Sequence, residues 1–88
     1  MKPYRIKHVP TGLYYRPGEV NLTKNGKVYT TATNVFSYYE RGYIPISAHA
    51  GSKLHLSTKD KIMWEPVKYD PYKVTARIPM EQFIKEEI

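Results

Sequence analysis

The sequence predicts an α+β fold, a mainly antiparallel sheet of about five strands with a short central helix and a C-terminal helix. Three observations carry that prediction. Several stretches alternate apolar and polar side chains with the period of a strand. Seven prolines and five glycines punctuate the chain at short intervals, as they do in turn-rich β domains. Apolar spacing of three and four residues recurs in two places, each the length of a short helix.

The first strand is expected over residues 4–9, where Tyr4, Ile6 and His8 alternate with Arg5, Lys7 and Val9. Pro10-Thr11-Gly12 reads as a turn, with Gly12 free to take positive φ. A second strand over 13–16 stops at Pro17-Gly18. Within residues 20–30, Asn25-Gly26 is the preferred pair for a two-residue hairpin turn, because both central positions need φ > 0. That hairpin sets Lys24 opposite Lys27, Thr23 opposite Val28 and Leu22 opposite Tyr29.

A short helix is predicted near residues 34–42. Asn34 is a good N-cap, Val35, Tyr38 and Tyr39 form a packing face, and Gly42 occupies a C-terminal stop position. Residues 43–48 read as an edge strand, since Pro45 has no amide to donate. Ala50-Gly51-Ser52 is a turn into a strand over 53–57, and residues 61–65 read as a weaker strand ended by Pro66. Residues 72–78 alternate cleanly, with Tyr72, Val74, Ala76 and Ile78 on one side. Pro79 is suited to a helix start, and Met80, Phe83, Ile84 and Ile88 then give an amphipathic helix over 79–87. The expected core is Ile6, Leu13, Leu54, Leu56, Val74, Ile78, Phe83 and Ile84.

Eighty-eight residues are the length of a single domain, expected over 1–88. A chain this short buries only about 60–65% of its unfolded surface, so its core is small. There is no cysteine, which excludes disulfides, thiolate metal sites and cysteine nucleophiles. Small secreted domains lean on such staples, so an intracellular setting is expected. No apolar run approaches the roughly 18 residues of a membrane span, and residues 1–5 do not resemble a signal peptide. No membrane partner is therefore expected.

The formal charge is +6 and unevenly placed. Residues 81–88 hold Glu81, Glu86 and Glu87 against Lys85. Residues 1–80 therefore hold 13 basic and 5 acidic side chains, a net +8. Concentrated positive charge attracts polyanions; solubility alone is the competing reading. Strand alternation turns Arg5, Lys7, Lys53, His55, Lys73 and Arg77 outward while Ile6, Leu54, Leu56, Val74, Ala76 and Ile78 turn inward. Tyr14 and Arg16 share one side of the second strand, and Tyr29 lies in the predicted hairpin. A sheet packed on one side presents its other face to water. The candidate RNA-binding surface is Arg5, Lys7, Tyr14, Arg16, Lys24, Lys27, Tyr29, Lys73 and Arg77. Cations on such a face follow phosphates, and exposed rings stack on unpaired bases. The competing reading is an ordinary polar sheet face, with Lys24 and Lys27 protecting an edge.

Other chemistry is sparse. His8, His49 and His55 match no zinc spacing, and no metal or other cofactor is expected. There is no phosphate-cradling glycine loop and no nucleophile elbow. The chain reads as a binding protein rather than an enzyme. A small ribonuclease built around His55, with Lys53 and Arg77, remains compatible with the composition.

Residues 4–15, Tyr-Arg-Ile-Lys-His-Val-Pro-Thr-Gly-Leu-Tyr-Tyr, followed by residues 21–29, Asn-Leu-Thr-Lys-Asn-Gly-Lys-Val-Tyr, resemble the small basic proteins of T-even-like tailed phages. The stretch from Ile78-Pro79 through Phe83 to Lys85-Glu86-Glu87 is similar in style. The resemblance covers about the first third of the chain and its end, and carries no catalytic motif. It implies a counter-defence protein in the cytoplasm of the infected bacterial host. There it would inhibit a host ribonuclease toxin of the ToxN type, from a toxin-antitoxin system whose antitoxin is RNA. Three other functions stay open: a general RNA or single-stranded nucleic-acid-binding module, a protein-only inhibitor docking on an acidic host protein, and the small ribonuclease.

Overall fold

The structure, a computed structural model, describes residues 2–18, 20–30 and 41–88. Within them the chain forms seven strands in two antiparallel sheets, one short helix and a 3-10 turn. The strands are β1 (Tyr4–His8), β2 (Leu13–Tyr15), β3 (Leu22–Thr23), β4 (Tyr43–His49), β5 (Glu65–Val67), β6 (Asp70–Pro79) and β7 (Phe83–Glu87), with helix α1 (Lys53–Ser57) between β4 and β5. The first sheet has the order β3-β2-β1-β7 and the second β4-β6-β5.

Alternation explains β1, β4 and β6. Tyr4, Ile6 and His8 are buried, as are Ile44, Ile46 and Ala48, and Val74, Ala76 and Ile78. Tyr4, Ile6, Ile44, Ile46, Ala76 and Ile78 from these inner faces meet Leu22, Tyr29, Ile62, Met80 and Phe83 in one core. Gly12, at φ +74°, closes the β1–β2 turn as its sequence predicts. Asn21 stitches the two sheets together. Its side chain accepts from the Ser47 amide at 2.8 Å and donates to the Arg16 and Gly18 carbonyls at 3.0 Å each. Each polar atom of this buried amide thus finds a partner, as burial demands.

The expected single sheet of about five strands is instead two sheets of four and three strands, because the inner faces of both pack on one core. Four expected elements also fail. No hairpin forms at Asn25-Gly26. Only Gly26 takes positive φ there, and β3 pairs with β2 through Tyr14–Thr23 and Tyr15–Leu22. Thr23 Oγ1 accepts from the Gly26 amide at 2.7 Å, and the chain crosses close over Tyr14 before Tyr29 bridges to Tyr4. Side-chain capping and β2 pairing satisfy groups that the hairpin would have satisfied locally.

Residues 53–57 are helical, not extended. Ser52 is the N-cap, accepting from the His55 amide at 3.3 Å. Leu54 packs on the core, but Leu56 is 55% exposed. Residues 61–65 are not a strand, and β5 begins only at Glu65. The C-terminal helix is absent. Met80–Gln82 make a 3-10 turn, and Phe83–Glu87 pair along the whole of β1. Without β7 that edge of β1 would lack a partner, so backbone pairing outweighs the helical spacing of Met80, Ile84 and Ile88. Ile84 consequently points outward, half exposed. The helix expected near 34–42 falls mostly outside the described residues.

Candidate nucleic-acid interface

The nine side chains expected to form one surface are divided among separate places. Arg5 and Lys7 on β1 and Tyr14 on β2 share the outer face of the first sheet, where Lys7 pairs with Tyr14 in register. Glu86 on β7 lies opposite Arg5 on the same face. The Tyr14 hydroxyl donates to Glu86 Oε1 at 2.6 Å, Lys7 Nζ lies 3.5 Å from Glu86 Oε2, and the Arg5 guanidinium sits 5.6 Å from the centre of the Tyr14 ring. The hydrogen bond to Glu86 raises the Tyr14 phenol above its ordinary value of 10.0. The same bond, helped by Lys7 and Arg5, holds the Glu86 carboxyl below its ordinary 4.5 against its partial burial. The helix expected over 79–87 kept Glu86 off this face. As a strand residue it meets these cations.

Tyr29 is not on this face. It is 9% exposed and stacks on Tyr4 at 5.6 Å, with Lys27 Nζ 5.2 Å from its centre. Lys85 covers the Tyr4 ring at 4.3 Å. Lys24 and Lys27 are exposed but are not cross-strand neighbours, because the hairpin that would oppose them is absent. Arg16 is exposed beyond the end of β2. Lys73 and Arg77 lie on the outer face of the second sheet, with Arg77 5.3 Å from the Tyr43 ring centre. Each sheet turns its outer face away from the shared core, so Lys73 and Arg77 do not join Arg5 and Lys7 on one surface.

Rings open to solvent occur instead at the β5–β6 turn. Val67 pairs with Asp70, so Lys68 and Tyr69 form the tip. Tyr69 is 87% exposed, with Lys68 Nζ 5.5 Å from its centre, and Tyr72 is 78% exposed. Asp70 Oδ1 accepts from the Tyr72 amide at 3.0 Å, fixing the turn. Lys73 follows Tyr72 and pairs in register with His49 at the end of β4. Sequence alternation groups Tyr72 with Val74, but Val74 is buried and Tyr72 is exposed. Ten-residue β6 overruns the core and leaves that ring in water. The signal for the tip was local: Lys-Tyr-Asp-Pro-Tyr-Lys sets two rings between two cations around turn-forming residues.

No helix among the described residues is long and apolar enough to cross a membrane, and no group of three His, Asp or Glu side chains gathers among them. No protein-family model, curated protein or solved structure matches the chain.

Proposed function

We propose that this protein binds single-stranded RNA, with the Lys68–Tyr69 tip and its flanks Tyr72 and Lys73 as the primary contact. The observation that carries the reading is the pair of solvent-facing tyrosine rings set between lysines. An aromatic face accepts any unpaired base, and adjacent ammonium groups follow the phosphates. The cations of the first sheet are a weaker basis, because Glu86 neutralises part of their charge.

The resemblance to small phage proteins supports a biological setting for this binding: inhibition, in the infected bacterium, of a host ribonuclease toxin of the ToxN type. RNA is that toxin's substrate and its natural antitoxin, so an RNA-binding inhibitor acts on the same ligand. Freshly purified protein is expected to carry nuclease-sensitive RNA, and a combined Tyr69→Ala and Tyr72→Ala variant is expected to lose it while remaining folded. Inhibition of such a toxin that survives complete removal of RNA would replace this reading with direct protein docking.

A further inference from the structure

The segment between α1 and β5 builds an open cleft of about 300 Å³, lined by His55, Lys59, Ile62, Met63 and Trp64. Its walls are held in place. The Trp64 indole N–H donates to Thr58 Oγ1 at 2.9 Å, and the Thr58 hydroxyl donates to the Leu54 carbonyl at 2.6 Å. The His55 ring stands edge-on to Trp64 at 6.0 Å. His55 Nδ1 accepts from the Gly51 amide at 3.0 Å, which leaves Nε2 as the nitrogen available to donate. Ile62 is buried, and the Met63 side chain is 84% exposed. Beyond Met63 lies a second hollow of about 160 Å³, whose lining includes Lys61, Arg77 and Gln82. Ile62 and Met63 line both, so the two hollows adjoin at this segment and together make up a trough divided by Met63. Lys59, Lys61 and Arg77 border it, and no carboxylate is among the described residues that line it.

That chemistry selects a flat, partly apolar group joined to anions. An indole fixed by its own hydrogen bond offers a rigid stacking surface. A solvent-exposed thioether adapts to more than one ring shape. Lys59, Lys61 and Arg77 at the border of the trough, with Asp60 between the two lysines in the chain, leave a local excess of positive charge that favours an anionic partner. The volume lies at the small end of ligand sites, the scale of one nucleotide unit rather than a folded partner.

We propose that this trough holds one unpaired nucleotide of the bound RNA, its base against Trp64 and Met63 and its flanking phosphates on Lys59 and, across Met63, on Lys61 and Arg77. The inference rests on the RNA-binding reading and adds a second contact to it. Trp64 and Lys68 flank β5 four residues apart, about 13 Å at a strand's rise of about 3.3 Å per residue. One single strand spans both places.

Trp64 is the only tryptophan in the chain, so its emission reports on this trough alone. The test titrates the full chain with oligouridine and oligoadenosine, reading Trp64 emission and the anisotropy of labelled RNA together. The expected result is saturable quenching that tracks anisotropy. Lys59→Ala with Lys61→Ala, and separately Met63→Glu, should weaken binding about tenfold or more, the scale of one lost stacking contact. All three positions are exposed, so these variants keep the fold. Full anisotropy with unchanged emission and unweakened variants overturns the trough and leaves RNA binding intact. Absence of binding in anisotropy overturns the RNA reading itself.

Discussion

Tyr14 on β2 and Glu86 on β7 share a 2.6 Å hydrogen bond that spans β1 and closes the outer face of the first sheet. The bond gives Tyr14 a structural task. Tyr14→Ala is therefore expected to lower the melting temperature while leaving the RNA affinity of the folded protein unchanged. Glu86→Gln should bring the Tyr14 phenol back toward 10.0, which NMR titration of carbon-labelled tyrosine measures. Because its folded pKa is depressed, Glu86 contributes stability that is present above its unfolded value near 4.5 and lost as pH falls through the lower folded value. Glu86→Gln should remove that part of the acid limb of a denaturation curve.

At the β5–β6 tip the expectation reverses. Tyr69→Ala and Tyr72→Ala should each cost roughly 1–3 kcal/mol of RNA affinity if each ring stacks on a base. The phenylalanine variants should cost far less, since the π-face remains. Both rings are exposed, so melting temperatures should hardly move. Calorimetric melting and RNA affinity measured on the same four proteins decide the matter.

Much of the fold was legible where one local rule governs. The alternation of β1 and β6, the Gly12 turn and the edge placement of Pro45 all follow from side-chain period and backbone chemistry, whereas the buried Ile44, Ile46 and Ala48 of β4 were missing from the expected core. The C-terminal segment was not legible, because Phe83-Ile84-Lys85-Glu86-Glu87 fits both a helix and a strand, and only the open edge of β1 chooses. That one misreading hid Glu86 from the candidate surface. For Ser52, reading the residue as part of a turn missed that the same side chain caps α1. For Tyr72, alternation groups the ring with the inward side chains of β6 but says nothing of how far the core extends along that strand. Lys73 and Arg77 were correctly turned outward, yet separating them from Arg5 and Lys7 required knowing that two sheets form.

RNA binding should weaken steeply with salt. Lys68 and Lys73 at the tip, with Lys59, Lys61 and Arg77 at the trough, can engage about four to six phosphates. Single strands release roughly 0.7 counterion per phosphate, giving a log–log slope near −3 to −4. Affinity that stays flat from low to physiological salt contradicts the whole electrostatic picture.

Two glycines test the backbone account. Gly12 and Gly26 both hold positive φ, but only Gly26 is crowded. A Cβ at Gly12 would meet nothing within 4 Å, whereas at Gly26 it would lie 2.4 Å from Tyr14 Cβ and 3.0 Å from the Tyr15 carbonyl oxygen. Gly12→Ala should cost about 1–2 kcal/mol from left-handed strain alone. Gly26→Ala should cost clearly more, because two backbones must separate. Equal losses in urea denaturation would mean that residues 24–28 do not cross β2 so closely.

His8 supplies the last prediction, through stability against pH. Its ring is buried on the inner face of β1, 5.2 Å from the Phe83 ring centre. Nε2 lies 2.8 Å from Gln82 Oε1, and Nδ1 lies 2.8 Å from Thr11 Oγ1. Gln82 Oε1 can only accept, so Nε2 carries the proton, and Nδ1 accepts from the Thr11 hydroxyl. This arrangement satisfies a neutral imidazole. Burial lowers the His8 pKa from its ordinary 6.5, with the Gln82 hydrogen bond opposing part of that shift. Between the lowered folded value and 6.5 the unfolded chain therefore binds more protons than the folded one. Stability from this site is full above 6.5 and declines as pH falls from there to the folded pKa. As pH falls, the His8 decline begins near 6.5, before the Glu86 decline that begins near 4.5. His8→Phe, which cannot titrate, should be less stable at neutral pH because Gln82 and Thr11 lose their partner, yet should lack the decline that begins near 6.5. Urea denaturation of both proteins across that range measures it. An identical slope in the variant would show that His8 is not the buried neutral group described.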